Sequence, residues 1–367
     1  MKKIHRTLSL FTVAAMCTAL LCSCGAVSDS SQTDSSSKAA TTTTSDTTAD
    51  TTTAGEASST ASATSAPDSS VADSSSAVTD DTKTNGITPA MWKVTSPEGN
   101  TMVMLGSFHA LKDECYPLPE AVTNAYNNAD ILAVECDITS TSEDGEYMKN
   151  LMKQMLYNDN TKLSQHISEE AYSALQTYLG YWGMDISALE VYRPWAVSST
   201  LDTLLIQDSG FDSEKGLDNY LLTTAHADGK EIYEVESVDF QMNLLINFSD
   251  DIYDLMFRSY EGETKESQKQ ALEDLYTAWK SGDIETFLEE DNEEELAGYT
   301  EEDKKIAEDY NKQMLYDRNK NMAKAAEDLM SQGKNVFYVV GAAHYAGEGG
   351  IIDLLEKDGY TAERVQY

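Results

Sequence analysis

The stretch TMVMLGSFH (residues 101–109) and its near echo VFYVVGAAH (residues 336–344) decide the fold of this chain. In both stretches an apolar run of β-forming residues stops at a glycine, and a histidine follows three residues later. Such a run predicts a buried strand, and the glycine allows the chain to turn sharply off its end. Histidine is the commonest side chain for metal binding and proton transfer. We therefore expect His109 and His344 to follow two strands of one sheet and to meet in one cleft.

The rest of the pattern predicts an α/β fold in which a mixed sheet with a βαβ core is flanked by helices. A hairpin is predicted across the turn SPEGN, and a helix and a further strand then complete a βαβ unit with parallel strands. The predicted strands are residues 91–94, 101–105, 131–134, 231–235, 336–340 and 363–365. The predicted helices are residues 117–129, 168–179, 194–206, 218–227, 239–248, 249–260, 265–280, 300–330 and 349–357. The middle of the chain is therefore expected to be largely helical.

Two glutamates also stand directly after apolar strands. Glu135 closes ILAVE and Glu236 closes EIYEVE, so both are expected at the sheet edge of His109 and His344, where open α/β sheets bind ligands. A carboxylate in that position is partly buried and needs a cation or a metal as its partner. Two imidazoles with one or two carboxylates suit zinc, manganese, iron or cobalt. The alternative is that each is a satisfied structural residue, and the shared sheet edge is what favours a metal site.

The chain lacks the signatures of several enzyme classes. It contains no Gly-x-Ser-x-Gly elbow, no phosphate-binding Gly-Lys loop and no His-Glu-x-x-His, which argues against serine hydrolases, P-loop nucleotide hydrolases and thermolysin-like peptidases. His166 and His226 are expected to be structural or exposed. Residues 87–367 carry 21 basic and 54 acidic side chains, a net charge of −33. That charge repels phosphate backbones and excludes a nucleic acid partner.

The N terminus predicts a lipoprotein signal peptide over residues 1–23. Three basic residues precede an uncharged apolar core at residues 8–21, as in secretory signals. The tetrapeptide LCSC (residues 21–24) resembles a bacterial lipobox, which predicts cleavage before Cys24 and acylation of that residue. We therefore expect a protein held by lipid on the extracytoplasmic face of the cell membrane. The alternative is an ordinary secretory signal with a chance cysteine.

The sequence predicts a disordered tether over residues 24–86 and one folded domain over residues 87–367. Residues 25–86 contain no aromatic residue and no Leu, Ile or Met, and 50 of these 62 residues are Ser, Thr, Ala or Asp, so no core can form. The folded part holds all four Trp and all twenty Tyr. It also holds Cys115 and Cys136, and the sequence leaves open whether they form a disulfide.

Several segments, in the same order, resemble the TraB/GumN family, which includes the PrgY pheromone-shutdown proteins and the TIKI ectoenzymes. The resemblance covers residues 89–367. It is carried by LGSFH (105–109), the strand that ends at Glu135, RPW (193–195), GLD (216–218), VESVDFQ (235–241), AWKSGD (278–283), DRN (317–319) and VGAAHYAGEGGIIDLLEKDGYTAERV (340–365).

The resemblance implies a fold like that of the erythromycin esterase and ChaN proteins. For TIKI-like members it also implies metal-dependent proteolysis that depends on two Gly-x-x-His motifs and an acidic residue. His109 and His344 would then bind or orient a divalent transition metal, and Glu135 would be a metal ligand or the general base. Glu236 would be an outer candidate ligand. Arg318 would be an outer catalytic residue that steadies the oxyanion.

Two functions are compatible with these residues. The first is a metal-dependent hydrolase, a peptidase that cleaves peptides or extracellular protein segments. The second is a non-catalytic lipoprotein that binds a peptide signal or carries haem or iron. A catalyst needs a proton acceptor beside the histidines, whereas a binding protein needs only a groove. The presence of Glu135 therefore favours the enzyme.

Overall fold

The computed structural model describes residues 86–139, 144–288 and 299–367. The predicted signal peptide, the predicted lipidation site Cys24 and the predicted tether up to residue 85 therefore lie outside the described residues. None of the helices in those three ranges is both long enough and apolar enough to cross a lipid bilayer.

Six strands within the described residues form one sheet. They are β1 (Met91–Thr95), β2 (Thr101–Ser107), β3 (Ile131–Val134), β4 (Glu231–Glu234), β5 (Val336–Gly341) and β6 (Thr361–Arg364). In space the order is β4-β3-β5-β2-β1-β6. The strands β4, β3, β5 and β2 are parallel, whereas β1 is antiparallel to both β2 and β6. The predicted mixed α/β sheet is confirmed.

Strand β5 lies between the two strands of the predicted βαβ unit. The predicted hairpin forms as β1 and β2, and β2 and β3 do run parallel. They are not neighbours, because β5 pairs with both and places Val339 opposite Leu105 and Phe337 opposite Leu132. All six residues of β5 are buried, as expected for a strand covered on both faces. The two Gly-x-x-His stretches therefore follow adjacent parallel strands.

The helices surround this sheet and fill the middle of the chain. They are α1 (Glu120–Asn128), α2 (Gly145–Gln154), α3 (Glu169–Gly180), α4 (Pro194–Asp208), α5 (Leu217–Asp228), α6 (Val238–Ile246), α7 (Asp250–Arg258), α8 (Lys265–Ser281), α9 (Glu301–Asn311), α10 (Asp317–Met330) and α11 (Ile351–Lys357). Helix α2 was not predicted, because Met148 and Leu151 are its only buried residues and give too short an apolar stripe.

The single long helix predicted over residues 300–330 is confirmed as a continuous helical segment, but its hydrogen bonding changes part of the way along. A π-helical turn at Lys312–Tyr316 separates α9 from α10. The helix begins where a capping box forms, in which Thr300 Oγ1 accepts a hydrogen bond from the backbone N–H of Asp303. The apolar repeat of the sequence continues through the turn, because one inserted residue displaces the pattern by less than a third of a turn.

The buried apolar side chains of the described residues form two cores. The first lies around the sheet and includes β5, α8 and α10. The second lies among the helices and includes α3, α6 and α7. Helix α4 belongs to both, because it places Trp195 in the helical core and Leu205 in the core around the sheet.

The two cysteines of the domain are not joined in a disulfide. Cys115 and Cys136 are both buried as free thiols. The Sγ atom of Cys115 lies 3.0 Å from the hydroxyl of Tyr276, and Cys136 donates to Oε1 of Gln241 at 2.9 Å. Each thiol therefore has its own polar partner.

Candidate active site at the carboxyl edge of the sheet

His109 stands two residues past the end of β2, and α5 fixes its ring. Its Nδ1 lies 2.7 Å from Oδ2 of Asp218, in the first turn of α5. Gly216 permits this close packing, because a Cβ there would lie 2.1 Å from the backbone oxygen of His109. With Nδ1 bound to Asp218, the Nε2 atom of His109 faces the cleft.

His344 lies in the 3₁₀ turn Ala342–Tyr345 that follows β5, and it is buried. Its Nδ1 lies 2.6 Å from Oδ1 of Asn319, whose Nδ2 donates to the backbone oxygen of Gly349 at 2.9 Å. Because the amide oxygen of Asn319 can only accept, Nδ1 of His344 carries the proton and Nε2 keeps its lone pair. That Nε2 lies 3.8 Å from Oε1 of Glu135.

The surroundings of Gly341 show that three of the predicted site residues converge. A Cβ on Gly341 would lie 3.1 Å from Oε1 of Glu135, 3.4 Å from Nε2 of His109 and 3.6 Å from Cδ2 of His344. Two atoms 3.4 and 3.6 Å from one point are at most 7.0 Å apart, so Nε2 of His109 and Cδ2 of His344 border the same small space. The missing side chain of Gly341 leaves the space that they surround.

Three donors hold the carboxylate of Glu135. The backbone N–H of Gly341 donates to Oε1 at 2.7 Å, and Oε2 accepts from Nη2 of Arg318 at 2.6 Å and from Nε2 of Gln241 at 2.9 Å. Glu135 and Arg318 are both buried. The carboxylate is therefore fixed in one orientation, with Oε1 turned toward the histidines.

Glu236 lies behind Arg318 rather than among the imidazoles. The Arg318 Nε atom donates to both oxygens of Glu236, at 2.9 and 3.1 Å, and Nη2 donates to Oε2 at 2.9 Å. Gln241 Nε2 also donates to Glu236 Oε2 at 2.7 Å. The backbone N–H of Glu236 bonds to the oxygen of Glu135 at 2.8 Å, so the ladder between β3 and β4 continues to this point.

The π-helical turn presents Arg318 to the two carboxylates. A π turn interrupts the i to i−4 ladder and frees a carbonyl group. The backbone oxygen of Met314, inside the turn, accepts a hydrogen bond from Nη1 of Arg318 at 3.0 Å. The guanidinium is therefore held from its own helix as well as by the acids.

The electrostatic environment gives the two histidines opposite pKa shifts. Desolvation acts to lower the pKa of His109, but the Asp218 carboxylate and then Glu135 outweigh it and raise that pKa to about 9. Burial and the Arg318 guanidinium lower the pKa of His344 to about 3. Burial acts to raise the pKa of Glu135, but Arg318 and then the two histidines hold it well below its usual range. These side chains by themselves therefore combine a charged His109, a neutral His344 and an ionised Glu135 at neutral pH.

A small cavity of about 30 Å³ opens beside His109 and Glu135. Its volume is that of about one water molecule. Its walls come from the loop after β3 and from the start of α5 and α6, and they include Cys136, Ile138, Ser213, Asn219 and Gln241. A reacting group in this cavity would lie beside His109 and Glu135.

Three contributors to this site had no predicted role. Asp218, Gln241 and Asn319 anchor His109, Glu135 and His344, respectively. Each lies inside a segment that carried the family resemblance, but sequence spacing does not show which side chain will bond to which histidine. His226 and His166 stand apart from the cluster, where they contact Asp137 and Asp250.

The donor atoms suit a transition metal in type and in direction. Both histidines are held at Nδ1 by an amide or a carboxylate, which is the arrangement that orients metal-binding imidazoles. Their Nε2 atoms and Oε1 of Glu135 face the space beside Gly341. Across the described residues, however, no group of three or more His, Cys, Asp or Glu side chains is already spaced to hold a metal ion.

The fold and the site together define an α/β protein with a histidine and carboxylate cluster at the carboxyl edge of its sheet. The family model of the TraB/PrgY/gumN family matches residues 90–364. The chain belongs to this family.

Distant relatives carry two different descriptions. Uncharacterized protein YbaP of Escherichia coli (strain K12) is 26% identical over 157 residues, which cover 43% of this chain and 56% of YbaP. A metalloprotease TIKI homolog of Nematostella vectensis is 24% identical over 293 residues, which cover 68% of this chain and 61% of the relative. Metalloprotease TIKI1 of Xenopus tropicalis is 23% identical over 289 residues, which cover 66% of this chain and 55% of the relative.

The chain therefore matches only 55 to 61% of the length of these three relatives. No solved structure matches it significantly. The expected likeness to the erythromycin esterase and ChaN folds stays a prediction.

Proposed function

We propose that this protein is a metal-dependent hydrolase that cleaves peptide bonds in peptides or extracellular protein segments. The observation that carries the proposal is the convergence of His109, Glu135 and His344 on the space beside Gly341. The distant relatives named metalloproteases support the same reaction class. We also propose that the fold resembles that of the erythromycin esterase and ChaN proteins, as the family resemblance implies.

The residues present would hold a divalent transition metal (manganese, cobalt, zinc or iron) through Nε2 of His109, Nε2 of His344 and Oε1 of Glu135. Glu236 contacts Arg318 and Gln241, so its role is to balance charge behind the site rather than to bind directly. When bound, such an ion supplies a Lewis acid that polarises a carbonyl group.

The protein side chains set the geometry for this chemistry. Asp218 and Asn319 hold the two imidazoles through Nδ1. Nε2 of His344 is therefore an acceptor, whereas His109, which is charged at neutral pH in the protein by itself, would give up its Nε2 proton when it binds the ion. Glu135 is a poor general base, because three donors hold it and its pKa is depressed. We therefore assign Glu135 as a ligand.

Arg318 acts in this site as a positioning residue. Four of its five N–H groups are used by Glu135, Glu236 and the oxygen of Met314. A side chain with its donors occupied in this way has little left for an oxyanion. Its part is to orient Glu135, in place of the oxyanion role implied by the family resemblance.

The proposal includes a lipid anchor at Cys24 on the extracytoplasmic face of the membrane. Its support is the lipobox-like LCSC after an uncharged apolar core. Intact-mass analysis of the protein purified from its membrane tests it. A mature chain that starts at Cys24 and carries acyl groups is the expected result, and a soluble product with any other first residue contradicts it.

The experiment for the catalytic proposal combines elemental analysis with a peptide cleavage assay on the mature protein. We expect about one transition metal per chain, together with cleavage that His109→Ala and His344→Ala abolish. His226→Ala is the matched control, because His226 binds Asp137 outside the cluster. Metal or haem without cleavage would favour the binding lipoprotein, and a parent protein without metal or cleavage would overturn the proposal.

A further inference from the structure

The small cavity in the site adjoins the space beside Gly341 but is distinct from it. His109 and Glu135 border both, whereas Gly341 and His344 do not belong to the cavity wall among the described residues. The cavity is partly open to solvent, so a group can enter it. Because His109 and Glu135 are shared, a group that fills the cavity lies next to whatever binds beside Gly341.

The volume of this cavity limits what can enter it. About 30 Å³ is the share of one water molecule in the liquid, and a methyl group is of similar size. An isobutyl group, with four carbon atoms, is several times larger. The cavity as it stands therefore has room for the side chain of alanine but not for that of leucine.

The accessible surface of the wall is mostly apolar, although several of its residues are polar. Their polar atoms are used elsewhere. Gln241 accepts from Cys136 through Oε1 and donates through Nε2 to Glu135 and Glu236, and Asn219 donates through Nδ2 to a backbone oxygen at 3.1 Å. A buried water usually makes about three hydrogen bonds, so a wall of this kind suits a hydrocarbon group better than a water molecule.

Hydrogen bonds hold much of this wall in place. Asp218 is bonded to His109, and three donors hold Glu135, so neither acid can move aside easily. Among the described residues that line the cavity, Ile138 carries the only aliphatic side chain. It is half-buried and packs against both cores. Ile138 is therefore the wall residue whose size can set the size of the cavity without disturbing the hydrogen bonds.

We propose that this cavity is the specificity pocket of the hydrolase and that it accepts the side chain of an alanine next to the scissile bond. The methyl group packs against Ile138 and lies beside His109 and Glu135. The carbonyl carbon of the same alanine is only two bonds away, so it lies next to the space beside Gly341. A leucine in the same place meets Ile138. This inference rests on the proposed hydrolase and narrows its substrates to peptides with alanine at the cleaved bond.

A set of three blocked pentapeptides tests this proposal on the mature protein. Each has glycine at four positions and glycine, alanine or leucine at the centre, and kcat/KM is measured for cleavage beside the central residue. We expect alanine to exceed glycine about fourfold, which is the contribution of one buried methyl-sized group. We expect leucine to fall at least about tenfold below alanine, because its extra carbons meet the wall.

The variant Ile138→Ala gives the sharpest comparison. It removes three carbon atoms, the number by which leucine exceeds alanine, so we expect kcat/KM for the leucine peptide to rise at least about tenfold. Ile138→Val removes one carbon atom and disturbs the fold less, and it should give a smaller gain for a peptide with 2-aminobutyrate at the centre. Ile306→Ala is the matched control, because Ile306 is also half-buried against the helical core but does not line the cavity.

The outcomes separate the pocket from the hydrolase. Equal cleavage of the three peptides, or an alanine to leucine ratio that neither Ile138 variant changes, would overturn the pocket and leave the hydrolase standing. If no peptide is cleaved, the hydrolase fails, and calorimetric titration with the same peptides decides the pocket. Tighter binding of the alanine peptide, lost in Ile138→Ala, would support it, whereas equal affinities or no binding at about 10 mM would overturn it.

Discussion

Arg318 and Glu236 meet through three hydrogen bonds of 2.9 to 3.1 Å in a region where both side chains are only 5% exposed. A guanidinium that approaches a carboxylate through both Nε and Nη2 is held in its plane. The same Nη2 donates to Glu135 at 2.6 Å. The orientation of Glu135 in the site therefore depends on a pair that makes no hydrogen bond to His109 or His344.

Replacement of Arg318 by methionine is expected to destabilise the protein strongly. It leaves Glu135 and Glu236 buried without their cation, and loss of one partner from a buried ion pair typically costs about 3–5 kcal/mol. Urea unfolding monitored by circular dichroism measures this cost. Addition of Glu236→Gln to this variant should recover part of the loss, since it removes one of the stranded charges.

Lys304→Met is the control for this effect. Lys304 pairs with Glu301, which is 89% exposed, and an exposed pair contributes about 0–1 kcal/mol. Equal losses of unfolding free energy in Lys304→Met and Arg318→Met would show that the buried network stabilises the protein no more than an exposed ion pair does.

Gly341→Ala is expected to close the space between the imidazoles. The new methyl group would lie 3.1 Å from Oε1 of Glu135, which three donors prevent from moving away. We expect metal affinity to fall by about 10- to 100-fold while the protein still folds, as when a ligand is displaced from its support. Metal titration of the folded variant measures this.

Gly180→Ala is the matched control. Gly180 ends α3, and a Cβ there would have no neighbour within 4 Å. An equal metal affinity in the parent protein, Gly341→Ala and Gly180→Ala would argue against a metal ion bound beside Gly341.

Asp202→Asn is expected to stabilise the protein at neutral and higher pH. Asp202 is buried in α4 with no partner for Oδ2 among the described residues, and burial raises the pKa of its carboxyl well above the ordinary value. A raised folded-state pKa gives stability that is fully present below the unfolded-state pKa and is lost as pH rises through the folded-state pKa. Each unit by which the folded-state pKa exceeds the unfolded-state pKa corresponds to about 1.4 kcal/mol of folding free energy.

Thermal unfolding at pH 4, 6 and 8 tests the direction in which the stability difference between Asp202→Asn and the parent protein changes with pH. The advantage of Asp202→Asn should grow as pH rises and should be smallest at pH 4, so the low-pH measurement is the internal control. An advantage that is independent of pH would mean that the carboxyl group is already ionised or hydrated in the folded protein.

Cys115 and Cys136 are expected to resist thiol reagents in the folded protein. They are 0% and 5% exposed and are not joined to each other. Labelling with a maleimide, followed by peptide mapping, should show both thiols modified in urea without any reductant, and neither modified without urea. Modification in urea only after reduction would contradict the free thiols.

The ends of the strands were predictable because local pattern determines them. A buried strand closed by glycine can be read directly at residues 101–109 and 336–344, and parallel strands bring their carboxyl ends to one edge. The meeting of His109, Glu135 and His344 could therefore be predicted without knowledge of the strand order.

The partners of the histidines could not be predicted in the same way. Asp218 and Asn319 reach them only because α5 and α10 pack at particular positions against the sheet. The π-helical turn before Arg318 is equally hidden, since one inserted residue changes the hydrogen bonds and leaves the apolar repeat almost unchanged. The central place of β5 depends on long-range pairing that no local pattern encodes.

The central position of β5 has a consequence for how the chain is made. Synthesis produces β2 and β3 more than 200 residues before Val336, the first residue of the strand that joins them. Until then the sheet is two separate pieces, each with an apolar edge open to wrong pairing. Contacts this distant in sequence form slowly, so the domain closes only once nearly all of the chain has emerged. The two halves of the histidine site are thus joined by one of the last events of folding.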